Sequence, residues 1–247
     1  MTSDRPADPV ALVTAVAAET RAVLAAVRRA ERIQVPGLRA WRADAGGRRI
    51  EVVQAGIGPR HARAALEALP GPHALVVSVG FAGALAAGAE PGDIVVPRSA
   101  VWDDTGAVQR YAVPVDLWGT AHARLPANRA ARALDGALLS SPTVVASIEE
   151  KQAAARRFDA VAVEMEAAAL IAVARTRGID VLPIKVILDA ADVSLAALPP
   201  DLESSWRARA QLLRRPAAWG SVLALAREIP RATRALTDVL RLVLPAL

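Results

Sequence analysis

Short apolar runs alternate with amphipathic segments along the chain up to residue 189. Residues 10–16 are an apolar run that predicts a buried strand, and the following segment predicts a helix from about Ala18. The same order repeats with a strand over 50–54 and a helix over 59–69, whose first residue is a proline. This alternation predicts an α/β fold, a three-layer sandwich in which a central mixed sheet is flanked by helices.

The alternation continues with less regular spacing. Residues 80–83, "GFAG", predict a turn that closes one strand, and residues 102–142 predict loops and a short helix because they carry few periodic signals. The remaining predicted strands cover 74–79, 91–101, 142–147, 159–165 and 180–189, and the remaining predicted helices cover 148–158 and 166–178.

The last fifty residues differ in character. From residue 199 the pattern is helical, interrupted at Pro216 and Pro230, and residues 207–247 carry eight arginines against two acids. We therefore divide the chain into a catalytic domain over 1–198 and a C-terminal helical extension of it over 199–247. Two interpretations of this basic extension stay open. It packs on the domain or on a partner subunit, or it makes peripheral contact with an anionic membrane through 206–247.

Composition excludes several classes of protein. No uncharged apolar run is long enough to span a bilayer, and the first residues lack a secretory signal, so we expect a cytoplasmic protein. The chain has no cysteine, and its three histidines, His61, His73 and His122, have no metal-ligand spacing. A net charge of +5 suggests nucleic acid, but few aromatic residues are present to stack on bases, and no recognition-helix motif occurs. We expect no nucleic-acid partner.

Acidic residues gather where predicted strands end. Glu19 follows the first strand, Glu164 and Glu166 flank Met165 at a strand-to-helix junction, and Asp189 ends the last strand. Ligands of open α/β sheets lie beyond the carboxyl ends of the strands, so these acids form one candidate site. Several carboxylates in one site are suited to cleaving a sugar–base bond, which needs an acid, a base and groups that hold the sugar.

Five segments carry a resemblance to a known family. They are "TAVAAETRAV", "QAGIGPRHARAALEAL", "VSVGFAGAL", "AVEMEAAAL" and "IKVILDAAD", and they occur in family order across residues 10–195. Together they resemble the purine nucleoside phosphorylase/nucleosidase superfamily, particularly its 5′-methylthioadenosine/S-adenosylhomocysteine nucleosidase branch. Residues 145–167 and the tail are most similar to the hopanoid-associated phosphorylase group, for which the implied reaction is adenine release from adenosylhopane.

The resemblance implies catalytic roles for two acids. Asp189 matches the general acid that protonates purine N7, although an aspartate there also suits a helix N-cap. Glu19 matches the acid that activates the attacking water, although it also suits the first turn of a helix. We expect neither a metal nor an organic cofactor, because purine protonation and carboxylate stabilisation supply the catalysis.

The resemblance also implies a sugar-binding surface. Glu166 matches the carboxylate that binds the ribose hydroxyls, and Met165 matches the side chain under the sugar, although a methionine there also suits the core. Glu164 supports this junction, and Lys185 is expected either to pair with Glu166 or to be an edge-strand lysine. The backbone of Gly80, Phe81, Ala82 and Gly83 is expected to approach the ligand closely.

Several departures from the family pattern bear on the reaction. Ser78 and Phe81 occupy positions that serve phosphate in phosphorylases, so water is the expected nucleophile. Leu188 replaces a serine beside the catalytic aspartate, and the segment around Ile148 lacks the aromatic residue that stacks on the purine, leaving Phe81 or Trp102 as substitutes. A homodimer is implied. The alternatives are a phosphorylase completed by a neighbouring subunit's arginine, and a catalytically silent nucleoside-binding or membrane-associated protein.

Overall fold

One mixed sheet with helices on both faces forms the framework of the protein, as the alternating pattern predicted. The computed structural model describes residues 8–104, 107–126, 132–196 and 216–247. Its strands are β1 (Val10–Thr14), β2 (Arg28–Val35), β3 (Leu38–Ala45), β4 (Arg48–Gln54), β5 (Leu75–Ala84), β6 (Ile94–Val95), β7 (Ser99–Asp104), β8 (Ala107–Ala112), β9 (Ala133–Leu134), β10 (Ala137–Ser140), β11 (Ala160–Glu164) and β12 (Val181–Asp189).

The helices lie between the strands and at the C-terminal end. They are α1 (Ala17–Ala26), α2 (Pro59–Ala68), α3 (Val115–His122), α4 (Ile148–Phe158), α5 (Ala167–Thr176) and α6 (Pro216–Val243), followed by a short 3₁₀ turn over Leu244–Ala246.

Strand β5 is the centre of the sheet. It pairs in parallel with β1 and with β12, and its last two residues pair antiparallel with β11. The main path runs β2-β3-β4-β1-β5-β11-β10-β7-β8, while β12, β6 and β9 branch from β5. Because β1, β5 and β12 are parallel, their carboxyl ends meet at one edge of the sheet.

Two apolar layers cover the sheet. Helices α1 and α6 pack on one face, where Val77, Ile184 and Leu236 belong to one buried cluster. Helices α2 and α5 pack on the other face, where Val76 and Leu170 belong to a second cluster. Val76 and Val77 are neighbours on β5 and contribute to opposite layers, since successive side chains of a strand point to opposite faces.

Two predicted elements were wrong, and some strands were missed. The "GFAG" segment is not a turn, because it continues β5 in extended backbone as far as Ala84. Residues 142–147 are not a strand, and the strand in this region is β10, which lies directly before them. Strands β2 and β3 were missed, because β2 is exposed at most positions and its charged residues lack the alternation of a half-buried strand.

Helix α6 differs from the prediction at one proline. Pro216 begins the described helix, but Pro230 lies inside it and does not interrupt it. Beyond Pro230 the helix buries Ala232, Leu236 and Leu240 against the core, and this packing offsets the hydrogen bond that a proline cannot make. Residues 199–215 of the predicted extension lie outside the described residues. Within the described residues no helix is both long and apolar enough to cross a bilayer.

Because the apolar side of α6 is part of the core, truncating it should destabilise the whole protein. Leu236→Ala removes a fully buried side chain and should lower the free energy of unfolding by about 2–5 kcal/mol. Leu242→Ala, on the exposed side of the same helix, should change it by less than about 0.5 kcal/mol. Urea denaturation measures both, and equal costs would contradict the docking of α6.

Candidate active site

A cavity of about 240 Å³ opens at the carboxyl ends of β1, β5, β11 and β12. Four carboxylates face it, and most of the remaining surface is apolar. The carboxylates belong to Glu19, Glu164, Glu166 and Asp189, and the apolar side chains include Ile57, Phe81, Val144, Met165, Leu188, Leu195, Leu225 and Ile229. The described lining contains no lysine, arginine or histidine.

Glu19 is held by backbone N–H groups from two strand ends. It stands in the first turn of α1, where its Oε2 accepts hydrogen bonds from the backbone N–H of Ala15 (2.7 Å) and Val16 (3.0 Å). Its Oε1 accepts from the N–H of Phe81 on β5 at 2.8 Å. Burial raises the pKa of Glu19, while Lys185 and these N–H groups oppose the rise. The result is a carboxylate that is fixed in place and more basic than an exposed one.

The glycines of β5 leave space for two of these carboxylates. A Cβ atom at Gly80 would lie 2.5 Å from Oε1 of Glu19, and a Cβ atom at Gly83 would lie 3.1 Å from Oδ2 of Asp189. Neither glycine has a positive φ, so the backbone itself does not require them. Gly80 and Gly83 therefore serve the site by admitting carboxylates against the strand.

Asp189 ends β12 and contacts a buried lysine that sequence reasoning missed. Lys151 of α4 is 1% exposed, and its Nζ lies 2.5 Å from Oδ2 of Asp189. Burial raises the pKa of Asp189, and Lys151 opposes the rise. Lys151 shares the buried stripe of α4 with Ala154 and Phe158, three and seven residues further on. A lysine within an apolar helical stripe is the sequence signal that would have identified it.

Glu164 anchors the junction between β11 and α5. Its oxygens accept hydrogen bonds from the backbone N–H of Glu166 (3.1 Å) and Ala167 (3.0 and 3.1 Å), and from Oγ of Ser140 (2.5 Å). Lys185 pairs with Glu164 at 2.8 Å, so neither expectation for it holds. Its partner is not Glu166, and it is a 2% exposed residue of a strand that is paired on both sides. The acceptors of Glu164 are thus occupied by the protein itself, and its supporting role at the junction stays a prediction.

Glu166 is bound more loosely and keeps free acceptors. Its Oε1 accepts from the N–H of Gly58 at 2.7 Å, and its Oε2 accepts from the N–H of Met165 at 3.3 Å. Burial, together with the charge of Glu164, raises the pKa of Glu166 to about 8, although Lys185 opposes the rise. Glu166 can therefore change its protonation state near neutral pH and still offers lone pairs to a ligand.

The structure brings together most of the residues that the sequence singled out. Gly80 and Lys185 lie behind the cavity surface, where they contact Glu19 and Glu164 respectively. Of the two aromatic residues considered for stacking, Phe81 lines the cavity, and Trp102 is partly buried against the apolar cluster that includes residues of α5. The predicted residues on the cavity surface are Glu19, Phe81, Ala82, Gly83, Glu164, Met165, Glu166 and Asp189.

Comparison with protein families identifies a superfamily to which most of the chain is similar. A profile described as the phosphorylase superfamily matches residues 9–215, which is most of the chain. No curated protein sequence matches this chain.

Several solved structures share the fold. The 5′-methylthioadenosine/S-adenosylhomocysteine nucleosidase of S. pneumoniae, solved with a transition-state inhibitor, is 18% identical with a TM-score of 0.77, covering 96% of this chain and 99% of that one. The futalosine hydrolase of Helicobacter pylori is 18% identical with a TM-score of 0.76, covering 97% and 98%. The corresponding nucleosidase of Neisseria meningitidis is 20% identical with a TM-score of 0.70, covering 95% and 99%. At these identities the likeness is one of fold.

The buried ion pair between Glu164 and Lys185 should be strongly coupled. Glu164→Gln leaves the ammonium of Lys185 buried without a counter-charge and should lower the free energy of unfolding by about 3–5 kcal/mol. Adding Lys185→Met removes that unpaired buried charge. The double variant should therefore lose at least about 1 kcal/mol less free energy of unfolding than the two single variants lose in total. Urea denaturation of the four proteins measures this difference, and additive costs would refute the pairing.

Proposed function

The chain belongs to the phosphorylase superfamily, and from this premise we propose that it hydrolyses the N-glycosidic bond of an adenosine-type purine nucleoside and releases adenine. The observation that carries the proposal is the convergence of Asp189, Glu19 and Glu166 on one cavity whose described lining has no cationic side chain. An acid, a base and a sugar-holding carboxylate are the groups that this reaction needs.

Asp189 is proposed as the general acid. It is buried, and burial raises the pKa of its carboxyl group, which favours the protonated form that an acid catalyst must hold. As the bond between N9 and C1′ breaks, its electron pair passes to the purine, and N7 takes the proton of Asp189. Protonation makes adenine a neutral leaving group.

Glu19 is proposed as the base that activates water. Three backbone N–H groups fix its orientation, and the raised pKa makes it a stronger proton acceptor. The water oxygen bonds to C1′ as the sugar develops oxocarbenium character, and the water proton passes to Glu19. Asp189 ends ionised and Glu19 ends protonated, so one proton returns through solvent before the next turnover.

Glu166 and Met165 are proposed to hold the ribose. Glu166 retains free lone pairs for the ribose hydroxyls, and hydroxyl donation to it favours its ionised form over the protonated form of the empty site. Met165 offers an apolar surface in the same cavity. Glu164 does not take this role, because its oxygens are already occupied within the protein.

Water is proposed as the nucleophile in place of phosphate. A phosphate ion in this cavity would meet four carboxylates and no described cation, and its buried charge would be left uncompensated. Ser78 and Phe81, which occupy the positions that serve phosphate in phosphorylases, supply no positive charge.

The substrate proposed within this class is a nucleoside with an apolar 5′ group, and adenosylhopane in hopanoid biosynthesis is the candidate that the sequence resemblance suggests. Leu225 and Ile229 of α6 lie on the cavity surface, and Ile57 and Val144 lie there while remaining 40% and 45% exposed. These side chains support an apolar group that extends from the cavity. The cytoplasmic location, the homodimer and the peripheral membrane contact through 206–247 stay predictions.

Replacing the acid should stop base release. Asparagine at 189 also leaves the buried ammonium of Lys151 without a counter-charge and should lower the free energy of unfolding, so activity is compared on protein shown to be folded. Asp189→Asn should lower kcat for adenine release by a factor on the order of 10² to 10⁴, because asparagine cannot donate a proton to the leaving base. Asp192→Asn, at an exposed position three residues later, is the matched control and should retain full activity. Chromatographic assay of free adenine in phosphate-free buffer measures both.

The same assay separates hydrolysis from its alternatives. Added phosphate should leave the rate unchanged and yield free sugar, and a strict requirement for phosphate would reject hydrolysis. Full activity of Asp189→Asn would reject the assigned acid. A protein that cleaves no nucleoside but binds anionic liposomes through 206–247 would favour the catalytically silent alternative.

The 5′ preference is tested with a panel of nucleosides. Relative to adenosine, kcat/KM should rise with the apolar size of the 5′ group, because each buried methylene should stabilise the bound substrate by up to about 0.8 kcal/mol. Adenosylhopane should therefore exceed 5′-methylthioadenosine, and the zwitterionic tail of S-adenosylhomocysteine should be disfavoured. Inosine tests the base in the same series. A preference for S-adenosylhomocysteine over the apolar substrates would contradict the assignment.

A further inference from the structure

The ammonium of Lys151 is saturated by three acceptors in one loop. Its Nζ donates to Oδ2 of Asp189 (2.5 Å), to the carbonyl of Ala190 (2.8 Å) and to the carbonyl of Val193 (2.7 Å). A lysine ammonium has three N–H donors and no acceptor. All of its hydrogen-bonding capacity is therefore directed at Asp189 and the chain that follows it.

The direction of these hydrogen bonds distinguishes the two oxygens of Asp189. Because Lys151 can only donate, Oδ2 must be an acceptor, and a hydroxyl at Oδ2 would compete with the ammonium for the same lone pairs. We infer that Lys151 is a positioning residue which reserves Oδ2 of Asp189 as an acceptor and so places the transferable proton on Oδ1. This inference rests on the proposed function, in which Asp189 protonates the purine.

Fixing the turn after β12 does not by itself require the contact between Lys151 and Asp189. A buried ammonium must lose its hydration, and an apolar side chain of similar length would avoid that cost but would leave the carbonyls of Ala190 and Val193 without this donor. Arginine would not replace it, because a planar guanidinium cannot direct three donors at acceptors grouped around one point. Among 30 basic residues the chain has two lysines, and both are buried and paired with carboxylates of the cavity.

Lys151 also links the acid to the wall of the cavity. By binding the carbonyls of Ala190 and Val193, it fixes the turn that leaves β12. Two residues later the N–H of Leu195 donates to the carbonyl of Ala146 at 2.8 Å, and Leu195 lines the cavity. The ammonium of Lys151 thus fixes the position of Asp189 and of the turn that leads to Leu195 in the cavity wall.

The electrostatic setting predicts how Asp189 responds to loss of Lys151. Among the described residues, Lys151 is the charged group in contact with Asp189, and the other charged groups at the cavity are Glu164, which pairs with Lys185, and Glu19 and Glu166. Burial raises the pKa of Asp189 and Lys151 lowers it, so removing the ammonium should raise the pKa further. An acid catalyst is active when protonated, so the alkaline limb of kcat should then move to higher pH.

Lys151→Met is the informative variant. Nuclear magnetic resonance of ¹³C-labelled aspartate carboxyl groups, with Asp189→Asn used for assignment, should show the titration midpoint of Asp189 rising by about 1–3 pH units. With a nucleoside that the unaltered protein cleaves, kcat should fall by a factor on the order of 10² and KM should rise by a smaller factor, because the acid is misplaced while Glu166 and Met165 still hold the ribose. The alkaline limb should rise with the midpoint.

Three further variants serve as controls for Lys151→Met. Arg156→Met, at an exposed position of α4, should leave the midpoint and kcat unchanged. Lys151→Arg retains the charge but not the three-way geometry, so kcat should fall while the midpoint stays close to its original value. If Lys151→Met does not fold, Lys151→Gln serves the same measurement.

An unmoved midpoint of Asp189 in folded Lys151→Met or Lys151→Gln would overturn the inference, as would full kcat in Lys151→Met. Failure of the proposed function is a separate result, seen as the absence of nucleoside cleavage by the unaltered protein. The carboxyl titration does not depend on activity, so the two failures can be told apart.

Discussion

The burial of four carboxylates at one end of the sheet is the constraint on which the rest of the site depends. Each acid would be costly to bury alone, and each is stabilised differently. Glu19 accepts hydrogen bonds from backbone N–H groups. Glu164 pairs with the ammonium of Lys185 and accepts from backbone N–H groups at the start of α5, and Asp189 pairs with the ammonium of Lys151. Glu166 has the least support, and its pKa rises to about 8. The unequal support gives four similar side chains different chemical properties.

The sheet supplies this support through its register. Parallel pairing brings the carboxyl ends of β1, β5 and β12 to one edge, so a backbone N–H of β5 reaches an acid that follows β1. The glycines of β5 then admit side chains from the neighbouring elements where a Cβ atom would collide. Helix α6 joins this arrangement from the other side, since its apolar residues enter both the core and the cavity wall.

Much of the fold was readable from local pattern, and the failures have physical reasons. Buried strands such as β1 and β12 are mainly apolar, with Lys185 the one charged residue inside β12, so their type and ends were predicted closely. The exposed edge strand β2 has no such run. The "GFAG" segment was predicted as a turn because glycine usually marks one. Here Gly80 and Gly83 lie in a strand, and a larger residue at either position would collide with the carboxylate of Glu19 or Asp189, which are distant in sequence.

The sequence by itself determined the α/β class and the layering of helices on a mixed sheet. It also placed four acids, Glu19, Glu164, Glu166 and Asp189, at the ends of strands. These features follow from the periodicity of apolar residues and from the order of elements along the chain. Only the tertiary structure decided which groups pair. Lys185 meets Glu164, and Lys151 meets Asp189 across 38 residues of chain. Such pairings depend on how elements pack in space, and a helical pattern reports only that one face is buried. The lysine beside the proposed acid was visible in the sequence, but its partner was not.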